Sequence, residues 1–266
     1  MQADYIELSY WQIGLAAALI LVSGLISLAL RLGLEGRLLV ASLRTVIQLL
    51  LIGLVLRWIF AVRTWYPVLA LMLAMTWIAG VAAVRRAGRV YQGIWLDSLL
   101  AMWASSWLVT GIALIAIVEV RPWYQPQYAI PLLGMILGNT LNGISLGLDR
   151  LGEELDGRRD HVETLLALGA TRWEAARGAV QQAVRTGMIP IINSMMVVGL
   201  VSLPGMMTGQ LLAGVEPVQA VMYQIVIMFL IAAGTSLGTV TVVLLGYRRL
   251  FNRDHQFLAA RITKRR

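Results

Sequence analysis

The stretch from Tyr10 to Leu30, YWQIGLAAALILVSGLISLAL, decides the fold: twenty-one residues without a charge, the length a helix needs to cross a bilayer. A secretory leader would begin with a basic segment, but the residues before this run carry Asp4 and Glu7 and no Lys or Arg. It therefore reads as a retained first span. Six further runs follow, at about 38–62, 65–84, 95–118, 128–148, 189–213 and 220–247. Their separators are Arg-, Gly- and Pro-rich, as in Arg85-Arg86-Ala-Gly-Arg89, Arg121-Pro122 and Glu216-Pro217. Trp11, Trp58, Trp65, Tyr66, Trp123, Tyr124 and Tyr247 lie near run ends, where amphipathic rings favour the interface.

Composition agrees. Of 266 residues, 59% are hydrophobic and only 14% charged, and mean hydropathy is +0.75; a soluble domain carries about 25% charged residues. A soluble enzyme, a nucleic-acid-binding domain and a disordered chain are thereby excluded. The net charge of +8 fits Arg-rich loops on an anionic membrane surface. With no cysteine, disulfides, thiolate metal sites and thiol catalysis are excluded as well.

Eighteen Lys and Arg fall on one set of alternate loops and the tail, against three (Arg57, Arg63, Arg121) on the other. The positive-inside rule puts the N-terminus outside and the C-terminus in the cytoplasm. The expectation is an all-α, polytopic bundle of about seven spans, a single transmembrane domain over residues 1–266 in the cell (inner) membrane. Its cytoplasmic parts are a hairpin at 149–187 and a basic tail at 248–266.

That hairpin is the most informative segment. Leu148, Leu151, Leu155, Val162, Leu165 and Leu166 recur at helical spacing, opposite Glu153, Glu154, Arg158, Arg159 and Asp160. Glu154 and Arg158 form an i,i+4 pair in the favourable order. The fifth span is expected to continue into the cytoplasm as an amphipathic helix. Gly169 suits the left-handed position that ends a helix. Thr171 and Glu174 make a capping box for a second helix carrying Trp173, Ala176, Val180, Ala183 and Gly187 on one stripe. Pro190 is placed in a first helical turn. Such a hairpin either packs on its own bundle or plugs a partner's groove, with Trp173 as anchor and Arg172 and Arg177 as rim.

The stretch Glu163-Thr-Leu-Leu-Ala-Leu-Gly169-Ala170-Thr171 resembles the EAA-type coupling loop of ABC transporter permeases, which docks into the ATP-binding subunit. It departs from the importer form: Thr164 and Leu165 replace two alanines, and Pro190 comes late. Arg44-Thr-Val-Ile-Gln48-Leu, Pro131-Leu-Leu-Gly-Met-Ile-Leu-Gly138-Asn139 and Gly199-Leu-Val-Ser-Leu-Pro-Gly-Met-Met-Thr-Gly209 are similar to the FetB-type family, the membrane subunits of iron-export ABC transporters. The resemblance implies a permease, present in two copies, that binds no cofactor itself and works with a separate ATP-binding subunit carrying ATP and Mg. It implies a coupling role for Glu163, Gly169, Ala170, Thr171, Arg172 and Trp173.

Polar residues inside spans are expensive and read as functional candidates. Arg44 and Gln48 lie one turn apart; Arg44 either snorkels, pairs structurally or faces substrate. Asp97 either pairs with Arg44 or Arg89 or lies on the path. Gly134-xxx-Gly138 and Gly143-xxx-Gly147 allow close helix approach, while Asn139 and Asn142 are packing amides or line a polar path. Pro204, among Gly199, Gly205 and Gly209, predicts a break or kink in the sixth span, with Met206 and Met207 as packing groups or soft ligands. Gly234-xxx-Gly238 predicts another close face, possible as a contact with a second copy. His161 and His255 fall in cytoplasmic segments.

No Gly-x-x-x-x-Gly-Lys-[Ser/Thr] occurs, and the only lysine is Lys264, so the chain has no P-loop. The expected function is an ABC permease subunit exporting iron or another metal ion. The alternatives are an ABC permease for a non-metal substrate and a self-sufficient secondary transporter, the latter lacking mid-span acids beyond Asp97. An intramembrane enzyme is disfavoured by the absence of Cys and of His-Glu-x-x-His.

Overall fold

A computed structural model describes residues 9–62, 64–252 and 254–264. Asp4, Glu7, Arg63, Arg253, Arg265 and Arg266 of the charge pattern lie outside the described residues. The chain is helical almost throughout: α1 (Tyr10–Ala29), α2 (Glu35–Val62), α3 (Trp65–Arg86), α4 (Ile94–Ile112, extended by a π-helical turn over Ala113–Ile117), α5 (Pro126–Gly157), α6 (Arg159–Ala167), α7 (Arg172–Val197), α8 (Gly205–Leu212) and α9 (Pro217–Leu250). Strand β1 (Arg89–Val90) pairs antiparallel with β2 (Thr263–Lys264). Among the described residues α1, α2, α3, α4, α5 and α9 are long and apolar enough to cross a membrane.

The sixth expected span is built differently. Instead of one apolar helix over 189–213, α7 starts in the hairpin and runs unbroken to Val197, so Pro190 sits well inside a helix and not in a first turn. The chain then turns through Val198–Pro204, with Gly199 at φ +82° and its N–H donating to the Ser202 carbonyl at 2.9 Å. Pro204 therefore does not kink a helix; it precedes α8, whose Thr208 N–H donates to the Pro204 carbonyl. A missing N–H costs nothing at that position.

The chain divides into two compact units. The first comprises Met1–Arg63 and Gln210–Val215. In it the α1–α2 connection is fixed by Ser27, whose buried hydroxyl donates to Glu35 at 2.8 Å and accepts the Leu34 N–H at 3.0 Å. The second unit, Thr64–Gly209 and Glu216–Arg266, holds α3, α4, α5, α7 and α9.

Helix α5 is the centre of the second unit, packing on α3, α4, α7 and α9. Lipid is as apolar as Leu, so packed small residues drive this association. A Cβ on Gly143 would meet the Thr239 hydroxyl at 2.5 Å, and one on Gly187 would meet the Gly143 carbonyl at 2.7 Å. A Cβ on Gly238 would meet Thr140 Cγ2 at 2.5 Å and Ser105 Oγ at 3.0 Å. The Gly234–Gly238 face is thus filled by α5 of the same chain and is not available to a second copy. Gly138, by contrast, faces open space.

Near the hairpin end, Asp97 of α4 is buried and paired with Arg249 of α9 at 2.6 Å. The Tyr91 hydroxyl donates to the same carboxylate at 3.1 Å. Burial and that carboxylate push the Tyr91 phenol well above its ordinary value. Gly93, at φ +91°, leaves the space: a Cβ there would lie 2.6 Å from the Arg249 guanidinium. Neither expected partner of Asp97 is used, and Arg89 pairs instead with Asp156 at 3.0 Å.

The contrast between glycines is measurable. Gly238→Ala should destabilise the protein by about 1–3 kcal/mol through overpacking, whereas Gly138→Ala should be neutral or slightly stabilising, as alanine favours helix. Thermal unfolding of both purified variants in detergent checks this.

Candidate functional site

Two features converge on α7: a hairpin at one end and a cavity at the other. At the hairpin the local chemistry follows the sequence closely. Leu148, Leu151, Leu155 and Val162 are buried, and buried Glu154 pairs with Arg150 and, at 3.2 Å, with Arg158. Arg159 pairs with Glu163 at 2.7 Å on the exposed face of α6. The Gly169 N–H donates to the Leu166 carbonyl and the Ala170 N–H to the Leu165 carbonyl, both at 3.0 Å, with Gly169 at φ +92°. That double bond pattern is the Schellman stop, which glycine permits.

Helix α7 then starts on its capping box. The Glu174 N–H donates to the Thr171 hydroxyl, while the Thr171 N–H and hydroxyl both donate to the Glu174 carboxylate at 2.7 Å. These bonds hold the Glu174 carboxyl below its usual value of 4.5, the Thr171 hydroxyl first. The turn projects one large apolar side chain, Leu168, 80% exposed.

Trp173 and Arg172 are engaged within the chain. The Trp173 ring packs edge-on against Tyr247 of α9 at 5.5 Å, while 43% of the residue stays exposed. Tyr247 continues into Phe251, which stacks on Phe257 at 5.0 Å. The Arg172 N–H donates to His255 Nδ1 at 2.9 Å, and its guanidinium to the Asn252 carbonyl at 3.1 Å. The basic tail is a folded strap over its described residues: Arg249 is clamped to Asp97, and β2 zips onto β1. His255 is a capping acceptor, which its place in a basic, polar stretch did not reveal.

At the far end of α7, about 35 Å away at 1.5 Å per residue, lie two adjoining cavities within the second unit. The larger, about 570 Å3, is lined by Met195, Val198, Leu203, Met207, Met228 and Phe229, with Gln224. The smaller, about 280 Å3, is lined by Met135, Asn139, Ser194, Ser202, Pro204 and Met206, again with Gln224. The structure thus gathers Asn139, Pro204, Met206 and Met207 in one place. Asn142 lies elsewhere, accepting a hydrogen bond from Arg86 at 2.7 Å, so the two amides do not line one path. Arg44 and Gln48 are exposed on α2, with no hydrogen bond or ion pair to either side chain among the described residues. Asp97 is in its clamp, away from the cavities.

Gln224 was not singled out from the sequence. The available signal was an amide inside an otherwise apolar run, four residues before Met228. It is buried, with its amide oxygen unpartnered. Among the described residues no cluster of three His, Cys, Asp or Glu could hold a metal ion.

Residues 10–251 match the uncharacterised protein family UPF0014. The chain is 41% identical to a UPF0014 membrane protein of Synechocystis sp. over 97% of this chain and all of the relative. It is 33% identical to the "Probable iron export permease protein FetB" of Escherichia coli, over 95% of this chain and 96% of that protein. It is 31% identical to the protein ALUMINUM SENSITIVE 3 of Arabidopsis thaliana, over 91% of this chain and 87% of the relative. No solved structure matches.

The capping box gives a pH signature. A carboxylate whose folded value is lowered stabilises the fold above its usual value, and that contribution disappears as pH falls through the folded value. Thr171→Ala should speed hydrogen exchange of the Glu174 and Ala175 amides about five-fold near neutral pH, one N-cap's worth. The gap between variant and native chain should narrow, leaving the contribution of the Glu174 N–H to Thr171 hydroxyl bond, as pH falls below the usual 4.5 of Glu174. Exchange mass spectrometry at several pH values reads both.

Proposed function

The chain belongs to the uncharacterised protein family UPF0014, a family of multi-pass membrane proteins, and from that premise we propose that it is the membrane-spanning permease subunit of an ABC-type transporter. One observation carries the reading. The Schellman-closed turn Leu168-Gly169-Ala170 stands exposed between two helices, one continuing from α5 and one being α7 itself, and α7 ends at the Met-lined cavities. A displacement of the turn by a partner is transmitted along α7 as a rigid rod to the break at Val198–Pro204. The occupant of the partner's groove is then Leu168, flanked by Glu163 and Thr171, with Trp173 fixing the start of the rod against Tyr247.

Several features support the proposal. The chain has no P-loop, so ATP and Mg belong to a separate subunit. Asp97, a buried acid within the spans, is engaged in an ion pair with Arg249, which favours a driven permease over a secondary transporter. The lysine and arginine distribution supports an outside N-terminus and a cytoplasmic hairpin and C-terminus, in the cell membrane. A second copy completes the two-permease, two-ATPase arrangement. The name of the FetB relative supports export of iron or another metal as the cargo to test first.

Leu168→Asp leaves the helical caps intact and should weaken co-purification with the host's ATP-binding subunit ten-fold or more, as loss of a buried apolar anchor does. Gly169→Leu, strained at φ +92°, should uncouple ATP hydrolysis from transport. Native association and transport by both variants overturn the coupling role. Because the chain lacks cysteine, single cysteines at Ser9 and Leu168 give background-free labelling. An impermeant maleimide should reach the first in intact cells and the second only after permeabilisation.

A further inference from the structure

The two cavities share a property that bears on what they hold. Among the described residues no charged side chain lines either one, although their lining comes from α5, α7, α8, α9 and the Val198–Pro204 break. The polar groups present are Gln224, Asn139, Ser194 and Ser202, and two of these are already occupied within the protein. Asn139 donates to the Met135 carbonyl at 2.9 Å, and the Ser194 hydroxyl donates to the Pro190 carbonyl at 2.9 Å. Gln224 is different. It is 6% exposed, borders both cavities, and its side chain makes no hydrogen bond among the described residues. A buried amide without a partner is costly, and native proteins keep one where something else supplies the bond.

We propose that these cavities form a binding site for an uncharged amphiphilic small molecule, with Gln224 as its hydrogen-bonding contact and the methionines as its adaptable wall. The volume and the mix of apolar lining with a few polar groups match sites for small organic ligands. Met135, Met195, Met206, Met207 and Met228 supply unbranched, polarisable side chains that re-pack around varied shapes. A bare divalent cation would enter an apolar chamber with no carboxylate to balance it, and desolvation opposes that strongly. A metal cargo would reach this site as a neutral complex. Taking the site as the transported molecule's rests on the permease reading; binding itself does not need the ATPase.

The test uses the full chain in phosphatidylcholine nanodiscs and a diazirine-bearing octanol, a neutral amphiphile with one hydroxyl. Photolabelling should saturate, localise to residues 195–207 and 221–229, and be displaced by excess octanol. Gln224→Leu should raise the half-saturating concentration about three- to ten-fold, the equivalent of one neutral hydrogen bond. Gln224→Asn, which keeps the amide, should give a smaller shift and guards against a folding defect in the first variant. Met207→Trp should abolish saturable labelling by filling the larger cavity. Non-saturating label spread over exposed residues away from the cavities, such as Leu108 and Leu237, would mean lipid contact only and overturns the proposal. Displacement by stoichiometric Fe2+ or Ag+ would mark a cation site and also overturns it, as does protection by a second copy in cross-linked dimers. No ATPase is present, so a failed coupling assignment leaves this result standing, and failed labelling leaves the coupling assignment standing.

Discussion

The close approach of α5 to α7 and α9 is the constraint on which the second unit depends. Gly143 and Gly187 bring two backbones together where a single added methyl would collide with a carbonyl, and Gly238 does the same against Thr140. In a bilayer no hydrophobic gain separates helix–helix from helix–lipid contact, so this packing supplies the cohesion. It also fixes α7 against a long, rigid neighbour.

Both ends of α7 follow from that geometry. At the hairpin end, cohesion passes from small residues to polar and aromatic groups: the Thr171–Glu174 box, the Trp173–Tyr247–Phe251–Phe257 series and the Asp97–Arg249 clamp. The C-terminal segment closes over this end, and the His255 imidazole accepts one of the helix's first N–H groups. Those groups need acceptors wherever a helix starts, and a distant segment supplies one here. At the other end the chain leaves helix at Val197, and the space beyond it is walled by α9 together with Met195 and Met207.

The hairpin's exposed Leu168 and the buried, unpartnered Gln224 are opposite departures from ordinary burial. One is a large apolar group in the open, the other a polar group sealed among apolar ones. Each leaves free energy uncollected within the chain: Leu168 stands just before α7, and Gln224, on α9, borders the cavities at the far end of α7. The proposed partner contact and the proposed ligand contact are thereby joined through α7.

Local chemistry was legible from the amino-acid order alone. Six of the seven span-length runs, the Schellman glycine at Gly169, the Thr171–Glu174 box and the Glu154–Arg158 pair rest on the order of nearby residues, so spacing determines them. The same order placed Pro204 at an interruption and Met206 and Met207 beside it. What it did not determine were pairings between residues far apart in the chain. Asp97 finds Arg249 and not its nearer neighbour Arg89, because α9 returns antiparallel alongside α4 and brings the guanidinium into the space left by Gly93. Asn142 turns to Arg86 while Asn139 borders the cavity, because neighbours on different helices claim the two amides. The basic tail becomes a strap because Arg89–Val90 offers an edge for Thr263–Lys264. Gln224 acquires its meaning only when three chain segments close around it: the sequence states that an amide lies in a span, and packing alone decides that nothing among the described residues satisfies it.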